Sequence, residues 1–221
     1  ENIVIVKLRS LFQVWWLQAL IAVIGSGFVT LLYAYFVKSK VNFGYIILAE
    51  ALGYGFAAAF ILFKRQFSMP RDLRVGFGLI FLALLSLFLP FNPVWVLIIY
   101  TIIRTCGAIM FYVPYNILFF RSTDQNKRLR KMTTMWSIGS VVSIFAPVLG
   151  GYIFVHFGMP IFVAVALGVL CLAVSLTYFI ARESHPFTIS QALTHLKGMR
   201  IIMMLDGAVE TVSGILITLY L

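Results

Sequence analysis

"SIFAPVLGGYIF", residues 143–154, decides how this chain is read. One proline and two adjacent glycines interrupt an otherwise apolar run. In a helix in water, Pro costs ~3 kcal/mol and Gly ~1 kcal/mol relative to alanine. In a bilayer both are tolerated, because neighbouring helices and local adjustment re-satisfy the freed backbone groups. Glycine also lets a second helix approach closely, and dispersion packing then holds the pair. Gly139, Ser143, Ala146 and Gly150 recur at spacings of four, three and four, which predicts one stripe of small residues on one helix face. Pro147 is expected to bend the helix beside that stripe, with Gly151 adjoining. Two uses fit the pattern: static packing, or a joint at which helices rock.

Composition extends the lipid reading to the whole chain. Hydrophobic residues make up 62% of the 221 residues and charged residues 11%. Mean hydropathy is +1.02. A soluble domain is nearer half apolar and a quarter charged. Crossing the hydrocarbon core takes about 20 apolar residues. Seven segments qualify, at 12–36, 43–63, 75–91, 94–120, 133–155, 160–180 and 201–221. The expectation is an all-α membrane protein: a six-helix transmembrane bundle over 1–180, a polar linker over 181–200, and a seventh span over 201–221. The chain starts on Glu1 and stays apolar to Leu221, so it reads as part of a longer protein. The first apolar stretch is too long for a cleavable signal peptide.

Charge gives the orientation. Fourteen of the 17 Lys and Arg fall on the side of the N-terminus, Lys38 and Lys40 fall on the other, and Arg104 lies within a span. Positive charge stays in the cytoplasm, so the N-terminus is placed there, in a multi-pass protein of a bacterial-type plasma membrane. The net charge of +10 then reports topology, and nucleic acid is excluded as a partner. Trp15, Trp16, Tyr33, Tyr35, Trp95, Tyr112 and Trp136 lie near span ends, where amphipathic rings prefer the interface. In the linker, Thr188 and Gln191 fit a capping box ahead of Ile189, Leu193 and Leu196, which predicts a short surface helix or a plain linker. Cys106 and Cys171 read as small buried hydrophobes. No GxSxG, HExxH or phosphate loop is present, and His156, His185 and His195 lack a metal partner at ligand spacing. No enzyme activity, metal or cofactor is expected.

Several stretches resemble the major facilitator superfamily. "APVLGG", residues 146–151, is similar to the GPxxGG end of that family's fifth-span motif. "RTCG", Arg104 to Gly107, resembles its fourth span. "PYNILFFRSTDQNKRLR", residues 114–130, is similar to the sugar–cation symporter branch. Val142 and Ala146 stand where the family has Gly, and the loop "KRQFSMPRDLR" lacks the family's Gly–Asp arrangement. The resemblance implies one half of a twelve-span transporter, made of two inverted three-span repeats.

Ionisable groups inside spans mark function by default, since each costs ~3 kcal/mol or more. Four stand out: Glu50, Arg104, Asp206 and Glu210. At 1.5 Å per residue, Glu50 and Arg104 lie roughly 10 and 15 Å below the same surface, so they are expected to face the interior and interact. They read either as a proton- or substrate-linked switch or as a structural pair. Asp206 and Glu210, four apart, share a helix face and repel, which suits proton or cation coupling. Gln18 is placed along the same cavity, while Gln13 could join it but fits the interface better. The expected function is secondary active transport of a small solute by alternating access, with proton-coupled efflux first. The alternatives are solute–cation symport with a sugar-like substrate, and a non-transporting scaffold that keeps the fold. The expected partners are the lipid bilayer, a small-molecule substrate, and protons or another coupling cation.

Overall fold

A computed structural model describes residues 14–64, 66–123, 126, 128–180 and 183–186. The expected seventh span, with Asp206 and Glu210, lies outside them, as do Gln13, Thr188, Gln191 and the rest of the linker beyond 186. Five helices and one small ribbon make up the described chain. Helix α1 runs Val14–Lys38 and contains a π-helical segment, Val23–Val29. Helix α2 is Phe43–Phe63, strand β1 Gln66–Met69, helix α3 Arg71–Ser86 and helix α4 Pro93–Ser122. Helix α5 is the run Arg128–Thr177, and strand β2 is Glu183–Pro186. Four of the five helices, all but α3, are long and apolar enough to cross a membrane.

The element boundaries have local causes. Asn42 and Asn92 cap α2 and α4, their side chains accepting from Gly44 N at 2.8 Å and Val94 N at 3.0 Å. Pro93 follows in the first turn of α4, where its missing N–H costs nothing. Helix α3 was expected over 75–91 but starts four residues earlier. Asp72 sits in its first turn, where a carboxylate meets the positive end of the helix dipole. Helix α5 breaks at Gly158, with φ 76° and ψ 177°. That left-handed φ needs glycine and divides the run into arms of residues 128–157 and 159–177. At Pro147 the backbone stays helical, and the break in the run comes eleven residues later. The π segment of α1 was not foreseen. It contains Ser26, whose hydroxyl donates back to Ala22 O at 2.5 Å, as Thr30 does to Ser26 O.

Helix α4 is the hub. It packs on α3 and α2, while α5 packs on α1 and α3. The larger core joins α1, α3, α4 and α5 through Leu17, Phe28, Phe77, Phe111, Tyr115 and Phe162. A second core closes the α1–α2 turn with Tyr33, Phe36, Ile46 and Leu97. At the opposite end, β1 and β2 pair antiparallel, with Phe67 opposite His185. That strand occupies part of the segment expected to be helix or linker. The outer surface is apolar. On α5, Ile144, Phe145, Val148, Leu149 and Val155 are 62–76% exposed. A continuous face of this kind is an outlier on a protein surrounded by water, and it suits hydrocarbon or further helices.

Three helix contacts are set by glycine. A Cβ on Gly150 would run into the carbonyl oxygen of Gly27, and one on Gly27 would sit 3.0 Å from Ala146 O. The stripe on α5 thus seats on the π segment of α1. Gly139 and Ala146 are buried with it, Ser143 is exposed beside it, and Gly151 faces open space. Gly76 of α3 and Gly107 of α4 face each other, each built Cβ lying 2.8 Å from the other's carbonyl oxygen. The third contact, at Gly53, positions the site.

Candidate functional site

The inward face of α2 carries Ile46, Ala49, Glu50, Gly53 and Ala57, all buried. Three of the five are small. A Cβ on Gly53 would lie 2.8 Å from Thr105 Oγ1 and 3.2 Å from Thr101 O, so glycine is what allows α2 to reach the backbone of α4. Glu50, less than one turn earlier, is thereby pressed against α4 near Arg104. Arg104 Nη2 donates to Glu50 Oε1 at 2.7 Å and to Oε2 at 2.9 Å. The same nitrogen lies 3.2 Å from the hydroxyl oxygen of Tyr33 on α1. Tyr33 in turn donates its own proton to Glu50 Oε1. Three helices therefore meet at one carboxylate, in a residue only 4% exposed.

Burial makes this arrangement costly to form and costlier to break. Desolvating both charges is repaid only with good geometry and further hydrogen bonds. Here Tyr33 supplies the further bond. The ring of Tyr100, one turn before Arg104, lies 6.0 Å from the guanidinium carbon, at the edge of cation–π range. Three atoms in this part of α4 have no partner among the described residues: Arg104 Nε, Tyr100 OH and Thr101 Oγ1. Buried polar atoms are rarely left so, and each orphan asks for a water or a ligand group. The cluster thus combines a paired charge with unused hydrogen-bonding capacity.

The other sequence candidates fall elsewhere. Gln18 lies fifteen residues before Tyr33, roughly 22 Å along α1, and packs toward Gly139 of α5, so it does not join Glu50 and Arg104. Tyr33, assigned to the interfacial ring belt, is buried and bonded to Glu50 instead. Neither cysteine is fully buried, and Cys171 is exposed. His156 stacks on Tyr152, with ring centroids 4.2 Å apart, and no group of three or more His, Cys, Asp or Glu able to hold a metal occurs among the described residues.

A second polar node escaped the sequence analysis. Asp72 is buried at the start of α3, where Lys64 Nζ approaches it at 2.8 Å and Ser68 N donates to it at 2.6 Å. This acid lies in the loop noted for lacking the family's Gly–Asp arrangement. Its position in the first turn of a helix, between basic residues, was the available signal. The Lys64 ammonium also lies 5.5 Å from the Phe67 ring centroid. The node fixes β1 against α3.

Comparison with known proteins finds no matching family model, no matching curated protein and no matching solved structure.

Proposed function

We propose that this protein is an integral membrane transporter that moves a small solute by alternating access, in the manner of the major facilitator superfamily. On this reading α1, α2, α4 and the two arms of α5 cross the bilayer, and α3, shorter and less apolar than a full span, completes a six-helix bundle with the N-terminus cytoplasmic. The observation that carries it is the Glu50–Arg104–Tyr33 cluster. An ion pair inside membrane-spanning helices is expensive to place. A purely structural fold would do as well with apolar side chains of similar volume. The unpartnered Tyr100 hydroxyl and Arg104 Nε beside it supply contacts for a polar solute or for the water that accompanies one. Proton-coupled efflux is the leading mode, and solute–cation symport with a sugar-like substrate is second. In the first mode Glu50 alternates between Arg104 and a proton.

The test is flux in sealed vesicles containing the full-length protein, with and without a pH gradient, against sugars, amino acids and lipophilic cations. Flux of at least one class that responds to the gradient and falls in E50Q is the expected result. Flux indifferent to both removes proton coupling at this site. Absence of flux for every class, with E50Q folded and inserted like the parent, favours the non-transporting scaffold.

A further inference from the structure

We propose that the groove between α3 and the second arm of α5 binds an anionic phospholipid, with its acyl chain in the groove and its phosphate at Arg74. The groove encloses about 380 Å³ and is lined by Phe77, Gly78, Phe81, Leu170, Cys171 and Val174, with Arg74 at one end. Arg74 and Phe81 are seven residues apart, so the apolar part extends ~10 Å along the helix axis. That is the shape of a chain-binding slot on the outer surface of a bundle. It rests on the helices being membrane spans and does not require transport.

Two observations select the occupant. The first is charge. Arg74 is held in place by Nε donating to Thr177 Oγ1 at 3.2 Å and by the Tyr178 ring, 4.0 Å from its guanidinium carbon. Among the described residues its terminal nitrogens have no acidic partner. Arg71, one turn earlier, is exposed. The one carboxylate between them, Asp72, is already taken by Lys64 and Ser68 N. Among the described residues the groove therefore ends in positive charge without an acidic partner, and a phosphodiester complements a guanidinium well. The second observation is Gly78. Gly76, two residues earlier, is required by its contact with Gly107. A Cβ on Gly78 would meet nothing within 4 Å. Helix packing gives no reason for glycine there, and alanine would favour the helix. A side chain at 78 would fill the groove, so glycine keeps it open.

The experiment is native mass spectrometry of the full-length protein from detergent, with dioleoyl phosphatidylglycerol or dioleoyl phosphatidylcholine added at equal concentration. Phosphatidylglycerol should be retained over phosphatidylcholine, and R74Q should lower its retention roughly five-fold, as loss of one basic contact at a membrane surface implies. G78F should abolish retention of both lipids at this stoichiometry. Should R74Q fail to fold, G78F, which enters open space, carries the test alone. In a C106S background, phosphatidylglycerol should also slow maleimide labelling of Cys171, while glycerophosphoglycerol without acyl chains should not. Equal retention of the two lipids, retention by G78F like the parent, or protection of Cys171 by the head group alone would overturn the proposal.

Discussion

The α2–α4 contact and the α1–α5 contact are built with the same device and enclose different things. In each, a glycine brings one helix onto the backbone of another: Gly53 against Thr101 and Thr105, Gly150 against Gly27. Between α1 and α5 the space at Gly150 closes on the backbone of Gly27 and the side chain of Leu31, with no ion pair among the described residues. Between α2 and α4 it closes beside an ion pair that also draws in Tyr33 from α1. Close approach is therefore not itself a sign of function. What distinguishes the two contacts is the polar group placed where the helices meet, together with the unused hydrogen-bonding atoms around it.

That contrast breaks most sharply at Glu50. E50A leaves a buried guanidinium uncompensated and should destabilise by about 3–5 kcal/mol, while E50A/R104A should recover part of that loss. Thermal unfolding in detergent, monitored by tryptophan fluorescence, would show it. Equal loss in the single and the double variant would reduce the α2–α4 contact to plain packing. Y33F is next. It removes a hydrogen bond to a charged group and should cost about 1.5–3 kcal/mol by the same assay. A silent Y33F would show that the carboxylate needs only Arg104.

The dry contact should respond to size instead of charge. G150V drives a side chain into Gly27 and should cost about 1–3 kcal/mol as overpacking. G151A, on the same helix but facing open space, should be neutral or stabilise by up to ~1 kcal/mol, the helix-propensity gain. If the two glycines behave alike, the α1–α5 contact is not as close as described here.

The sequence made some of this legible and hid the rest for physical reasons. Charges in apolar runs are rare, so Glu50 and Arg104 stand out, and counting residues from each span start placed them at similar depth. Tyr33 did not stand out, because a tyrosine near a span end also serves as an interfacial anchor. Its role depends on which way the third helix faces, and span counting leaves that open. The stripe at Gly139, Ala146 and Gly150 was visible as spacing, but its partner Gly27 lies in a π segment that no periodicity announces. Gly53, Gly76 and Gly107 lie on three different helices, so the contacts they make are not apparent from any one stretch of sequence. Pro147 drew attention as a breaker, yet the backbone there keeps helical angles. The break falls at Gly158, between the segments expected at 133–155 and 160–180. Asp72 was passed over in a loop searched for a family pattern and not for a helix start.

Charge exchange addresses the pairing directly. The account predicts that E50R/R104E unfolds at a higher temperature than E50R or R104E alone, because the double variant restores opposite charges across α2 and α4 while each single variant buries two like charges. A double variant no more stable than the singles would contradict the account.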